Sequence, residues 1–353
     1  MAANTMSTTA RIGKYAGGIL KHAVPHEVLA RGGRQVTFPK NNSNTYVARR
    51  WLPNGTTSST NGNLLIANGT GDRAAALVAA AQTSEGVTPT PDQITPQDQT
   101  VVLNQYACLY SFTDQVYDLY EDDIPGAIKE QIGERVALIN ELMIFGALKA
   151  STNQFYGGTG TSRATVNGKL SLNLVRKIVK SLQANHGENV TSVLKGSNNF
   201  GSDPVAPGYV VYCHTDLEPD IRDLPGFIDA SQYAGQAMPY EVGKVERFRF
   251  VTSPDLPSYQ DAATSVTASA VGLSSTTGTN PDVYPIIVAA KDAWSQVAVR
   301  GLDALKPTYL PPGEKSKSDP FGQRGYAGTI WYKAVFLENN GWLAVANVGA
   351  SSL

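Results

Sequence analysis

Cysteine is scarce in this chain: two occur in 353 residues, Cys108 and Cys213. Both sit in apolar, strand-like runs, YACLY and VVYCH. Buried free thiols are therefore expected, not a disulfide framework, and a reducing compartment suits them. Long hydrophobic runs are missing too. No stretch approaches the ~18 apolar residues of a membrane span. The N-terminus has no secretory apolar core followed by a cleavage site. Net charge is close to nil, at -1.

Recognisable chemistry is sparse as well. There are four histidines. His22 and His26 stand four apart, but Pro25 lies between them and no third ligand is near, so no metal centre is expected. His186 is expected at a helix end, and His214 as a satisfied polar group closing a strand. ATVNGKL resembles a phosphate loop only through Gly168-Lys169. Arg163 stands where that motif has its first glycine, and Leu170 stands where Ser or Thr would hold magnesium. No G-x-S-x-G elbow exists, and neighbouring Cys213 and His214 point to opposite faces of a strand. Glu121-Asp122-Asp123 suits the start of a helix better than a calcium site. No catalytic residue, metal or cofactor is expected, and no internal repeat is visible.

What the chain does have is an uneven distribution of charge. Residues 1–52 hold eight Lys/Arg (Arg11, Lys14, Lys21, Arg31, Arg34, Lys40, Arg49, Arg50) against Glu27 alone, about +7 by count, which leaves about -8 on the rest. A cationic head on an acidic body suits a polyanion or the acidic body of a neighbouring copy. A solvated basic tail is the plain alternative, and the acid-free start superficially resembles a transit peptide.

Residues 1–32 read as an arm, with a weak helix over KYAGGILKHAV. In GRQVTFPKNNSNTYVARRWLP (33–53), Val36 and Phe38 share one strand face, Pro39–Asn44 turns, and a second strand runs from Tyr46 to Leu52. Residues 53–98 are Gly/Thr/Asn-rich, with at most a helical turn or two at 74–81; so long a segment without periodicity is functional or disordered. QTVVLNQYACLYSFT (99–113) reads as one strand of about 50 Å with apolar groups on both faces. The longest helix is expected over 124–151, with Ile124, Ile128, Ile132, Val136, Ile139, Leu142 and Phe145 on its inner stripe. A second runs from Ser171 to His186 and stops at Gly187. Strands are expected at 209–215, 245–253 and 284–291, a short helix in LEPDIRDL, a surface insertion at 258–282 and an extended stretch at 306–320. GTIWYKAVFLE, Asn339-Asn340-Gly341 and WLAVANV read as a closing hairpin.

This order of parts, with KYAGGILKHAVPHEVLARGGRQVTFPKNNSNTYVARRWLPNG (14–55), PDIRDLPGFIDASQYAG (219–235) and GKVERFRFVTSP (243–254), resembles the major capsid proteins of tailed double-stranded-DNA bacteriophages. Their coat fold, of the Hong Kong ninety-seven type, is shared with herpesvirus capsid floors and encapsulin shells. Within that group the chain is similar to the coat of the large podophage that packages an RNA polymerase in its virion. The resemblance implies an α+β fold. An N-terminal arm would span 1–32 and an extended loop 33–113, lying across a neighbouring subunit. A peripheral domain would span 114–170 and 321–353, with a spine helix at 124–151. An axial domain would span 171–320. It further implies a structural coat protein without catalysis. Pentamers and hexamers would close an icosahedral shell around DNA held without sequence specificity, with portal and scaffolding or decoration proteins as partners and no membrane. The protein would be assembled in the host cytoplasm and reside in the virion. Arg34, Lys40, Tyr46, Arg49, Arg50, Trp51, Asp122 and Asp123 are the expected inter-subunit contacts. An encapsulin-type compartment and a soluble enzyme with a cationic targeting segment are the alternatives.

Overall fold

Two sheets and one long helix organise the chain. The computed structural model describes residues 27–39, 43–51, 82–88, 96–119, 124–194, 202–232, 237–299, 306–315 and 319–352. The described chain opens with β1 (Arg34–Phe38), β2 (Thr45–Trp51), β3 (Pro96–Val102) and β4 (Asn104–Thr113), then a short helix Asp114–Leu119 and the long helix Ile124–Leu148. β5 (Gln154–Tyr156), the helix Leu172–Ala184, β6 (Val190–Leu194) and β7 (Ser202–His214) follow. The helix Glu218–Arg222, β8 (Ile228–Asp229), β9 (Glu241–Val245) and β10 (Phe248–Ser253) come next. The chain closes with the helix Ala268–Val271, β11 (Tyr284–Ala289), β12 (Trp294–Val299), β13 (Lys306–Leu310), β14 (Arg324–Leu337) and β15 (Leu343–Val348).

β7 shows why the larger sheet forms. Its apolar run has no polar face, so both faces must be covered. Tyr209, Val211 and Cys213 feed one core together with Leu174, Val175, Ile178 and Leu182 of the helix Leu172–Ala184. Val210 and Tyr212 feed the opposite core, with Ile144, Phe145 and Leu148 from the end of the long helix. Alternation along one strand thus fills two layers. The sheet runs β5-β15-β11-β7-β10-β9-β8, with β6 also on β7. The smaller sheet is built on β14, which carries β4 along one edge and β13 and β12 along the other, with β1 beyond β12. Ile128, Ile132 and Val136 in the first half of the long helix pack on it against Cys108, Phe112 and Trp331. The long helix therefore bridges both sheets.

Several expectations are corrected. The run 99–113 is two strands, not one. Leu103 breaks it: this buried residue is tied back by its N–H to the Asn44 carbonyl at 2.8 Å, and β3 pairs with β2 while β4 pairs with β14. Residues 245–253 hold the end of β9 and all of β10, antiparallel neighbours turned at Glu246 (φ 51°). The closing hairpin does not form. β14 stays in the smaller sheet and β15 crosses to the larger one, between β11 and β5, because both edges of β14 are already occupied. The division at 171–320 does not follow the sheets either: β12 and β13 belong with β14, and β5 and β15 belong with β7. The insertion 258–282 is partly core, since Ala263, Ala268 and Leu273 are buried. The extended stretch from Lys306 begins as β13, paired to β14.

Helix limits lie close to expectation, while one helix end and one residue of the inner stripe differ. Ser171 Oγ accepts the Leu174 N–H and caps the helix Leu172–Ala184. At the other end His186, not Gly187, takes the left-handed conformation (φ 56°), while the Gly187 N–H reaches the Leu182 carbonyl at 2.9 Å and the His186 N–H reaches Gln183 at 3.0 Å. In the long helix Leu142 faces outward and Glu141 inward. The expected arm ends early: Val28 and Leu29 are buried in the second core. The helix over 14–24, the His22/His26 pair, the turns at 74–81 and the 121–123 carboxylates lie outside the described residues. Cys108 and Cys213 are free and buried, as expected. His214 is a satisfied group: its Nδ1 accepts the Asp216 N–H at 3.1 Å.

Lys333 lies two residues after Trp331 on β14, so it faces the long helix. Its burial, only partly offset by Glu27 and Glu141, pushes the amine down to about 8 from 10.5. A folded pKa below the unfolded one means stability is missing below about pH 8 and is gained as pH rises from there to 10.5. The missing part is on the order of 3 kcal/mol. Lys333→Met is expected to raise the melting temperature at pH 7. It is also expected to remove the part of the rise between pH 8 and 10 that the unmodified chain shows. Parallel melting curves for both proteins against pH would reject this by giving the same slope.

Candidate inter-subunit surface

β2 and β3 form a two-stranded ribbon in register from Thr45 opposite Val102 to Trp51 opposite Pro96. Such a ribbon is marginal in water unless a face is covered. Its inner face is covered by its own chain. Tyr46 packs edge-on to Phe38 with ring centres 6.0 Å apart and tilted against Phe336 at 5.7 Å. Val101 joins them over Leu103, Val297 and Ala334. The outer face is bare: Val47 is 50% exposed, Trp51 61% and Val102 49%.

The cations are placed by register. Arg49 stands opposite Asp98 and clasps it with two hydrogen bonds, Nε to Oδ1 at 2.6 Å and Nη2 to Oδ2 at 2.8 Å. Those bonds hold the Asp98 carboxyl below its ordinary range. Arg50 turns inward: Nε and Nη2 donate to Gln97 Oε1 at 3.0 and 2.6 Å, and Nη1 donates to the Glu338 carbonyl at 3.2 Å. Burial lowers the pKa of its guanidinium, with Glu338 opposing. Arg34 Nη1 lies 3.7 Å from Glu338 Oε1, a carboxylate that also accepts from Ser295 Oγ. A notch of about 350 Å³ remains between ribbon and body, lined in part by Arg34, Arg49, Arg50 and Glu338.

These contacts give the expected residues their settings within one subunit. Tyr46 anchors the ribbon to its own subunit. Arg34, Arg49 and Arg50 already meet their own chain's oxygens: strand register sets Asp98 across from Arg49 and Gln97 across from Arg50, and Arg34 reaches Glu338 just past the end of β14. Trp51 is 61% exposed, and the Arg34 and Arg49 side chains stay 62% and 57% exposed beside their acceptors, so all three remain open to a neighbour. Lys40, Asp122 and Asp123 lie outside the described residues. Sequence reasoning missed Val47 and Val102, whose exposure would have followed from alternation once the partner strand was known. It also missed a second apolar surface on the smaller sheet, away from the long helix. There Leu109 is 55% exposed, and Ile330 and Tyr332 stand open beside it, with Gly328 opposite Leu109.

No group of three or more His, Cys, Asp or Glu able to hold a metal ion occurs among the described residues, and no described helix is long and apolar enough to cross a membrane.

Residues 96–335 match the phage capsid protein family. The major capsid protein of Pseudomonas phage KPP21 is 20% identical over 263 residues, 69% of this chain and 65% of that protein, so the chain spans just under two thirds of the relative. Among solved structures, the capsid of Ralstonia phage GP4 has a TM-score of 0.64 at 10% identity, covering 96% of this chain and 95% of that one. The head of Helicobacter pylori bacteriophage KHP40 has a TM-score of 0.62 at 11% identity, covering 96% and 95%. The cyanophage Pam1 capsid subunit has a TM-score of 0.56 at 12% identity over the full length of both chains. The fold of two sheets bridged by a long helix is thus the one found in phage capsids. Since the family match takes in well over half of the chain, from the start of β3 into β14, the protein belongs to the phage capsid protein family.

Proposed function

We propose that this protein is a structural major capsid protein whose copies assemble, as pentamers and hexamers, into an icosahedral shell around double-stranded DNA. The observation that carries the reading beyond family membership is the ribbon. One of its faces is used within the subunit, while the other presents Val47, Trp51 and Val102 to solvent. An apolar ribbon face of this kind marks an interaction site, and the identical copy is the partner always present at matching concentration. In this reading β2–β3 lies across the next subunit, on the bare sheet face around Leu109, Ile330 and Tyr332. The long helix is the spine, the smaller sheet the peripheral domain and the larger sheet the axial domain. The cationic N-terminal stretch faces DNA by charge alone, since contacts to phosphate need no base recognition. Portal and scaffolding or decoration proteins complete the virion, and assembly takes place in the host cytoplasm.

The test is assembly. Val47→Asp with Trp51→Asp is expected to abolish closed particles in negative-stain micrographs. The circular dichroism and melting temperature of the subunit should stay unchanged, because exposed substitutions usually move stability by about 0.5 kcal/mol or less. Normal particles from the variant would remove the ribbon from the interface. A wild-type protein that stays monomeric at high concentration would remove the shell reading itself.

A further inference from the structure

Glu141 is a side chain that the ribbon reading does not use. It sits on the long helix and is fully buried. Its Oε1 accepts the N–H of Val28 at 2.9 Å and of Leu29 at 2.7 Å, and its Oε2 accepts that of Ala30 at 3.1 Å. Three successive amides converging on one carboxylate form a backbone nest for an anion. No described Lys, Arg or His lies within ion-pair distance of it. Its charge is met chiefly by dipoles of the segment it holds. Burial still raises its carboxyl above the ordinary range, with the three amides and Glu27 acting in opposite directions. The other titratable groups facing it are Lys333 on β14 and Tyr212 on β7.

The same segment is pinned again a few residues on. Gln296 Nε2 donates to the carbonyls of Ala30 at 3.2 Å and Gly32 at 3.0 Å. Gly33 has φ 71°, and a Cβ there would stand 2.4 Å from Trp294 Nε1. A Cβ on Gly32 would stand 2.4 Å from the Tyr212 hydroxyl. Only glycine passes over these two rings. From Arg34 onward the chain is locked as β1 against β12. The Trp294 indole N–H, though buried, has no hydrogen-bond partner, so the closed arrangement leaves a donor unmet. The segment is thus clamped on one side of a glycine pair by a buried carboxylate, fixed on the other side by a strand, and seated over an unsatisfied group.

We propose that Glu141 is a latch holding the root of the cationic N-terminal stretch on the long helix, with Gly32-Gly33 as the hinge on which that root turns when the latch opens. The latch rests on contacts within one subunit and does not depend on the shell reading.

The experiment is hydrogen exchange by mass spectrometry on the full-length chain, with tryptic cleavage after Arg31 followed in parallel. Glu141→Gln keeps the shape but sets an NH₂ against the amides. Exchange in the peptide covering 27–32 is expected to rise about tenfold, with cleavage after Arg31 accelerated to match and the core peptide around Ile144–Leu148 unchanged. Gly33→Ala, which drives a methyl into the indole, is expected to produce the same local rise with Glu141 intact. The double variant should exchange no faster than Glu141→Gln alone, because one opening is being counted twice. No change at 27–32 in Glu141→Gln, an equal rise across the Ile144–Leu148 core, or full additivity of the two substitutions would each overturn the latch. Glu141→Ala serves only as a control, and if it fails to fold the isosteric Gln variant still decides.

Discussion

Arg249→Met is expected to lower the unfolding free energy of the subunit by about 3–5 kcal/mol, the cost of breaking a buried ion pair from one side. Arg249 and Glu241 are neighbours across the β9–β10 pair, with side chains 3% and 0% exposed. Arg249 Nε donates to Glu241 Oε1 at 2.8 Å and Nη2 to Oε2 at 2.5 Å. The Met238 N–H donates to the same carboxylate at 2.7 Å. Methionine fills most of the stem volume of arginine but strands a carboxylate with no route to water, and an uncompensated buried charge costs far more than the pair contributes. The companion variant Arg249→Met with Glu241→Met should recover most of the loss, since apolar replacement of a whole buried pair is often neutral or better. Urea unfolding of both variants is the check. A single-variant loss under about 1 kcal/mol would mean that water reaches Glu241 and the pair is not dry.

Phe112→Ala is expected to cost about 3–5 kcal/mol and, unlike the first substitution, to impair assembly beyond its effect on stability. Phe112 is fully buried on β4, between the rings of Tyr117 at 6.3 Å and Tyr309 at 6.0 Å. Gly325 opposite it lies so close that a Cβ there would stand 2.4 Å from its ring. The backbone of β14 is therefore shaped to this ring and cannot collapse into the space left by alanine. β4 is also the strand from which the ribbon departs at Leu103. A loosened β4 releases the ribbon's root, so particle yield should fall even at temperatures where the subunit remains folded. Thermal unfolding and particle counts on one preparation separate the two effects. Intact assembly in a variant that has lost the expected stability would uncouple ribbon from sheet.

The candidate surface was legible only in part. Trp51 was expected there only as the end of the cationic, alternating run, whereas its exposure follows from its place on the outer face of the ribbon. Arg49 and Arg50 were located on the ribbon, but their acceptors were not foreseen. Asp98 lies forty-nine residues away in sequence, and strand register cannot be read across a segment whose length says nothing about its path. Glu141 escaped for a different reason. A helical wheel treats a carboxylate as an outward residue, and only the three amides of a distant turn make an inward position tolerable.

Local patterns by themselves determined the long helix, the helix after Ser171, several of the strand segments and the likeness to phage coat proteins. Each rests on side-chain period, end signals or residue order, which act within a few turns of chain. Tertiary structure alone decided which strand pairs with which. The Asn-Gly turn after β14 was compatible with folding back, but β14 already held β4, β13 and β12 on its edges, so the next strand went to the sheet that still had a free edge beside β11. Hydrogen-bonding edges are filled by competition across the whole molecule, and no short window of sequence contains the competitors.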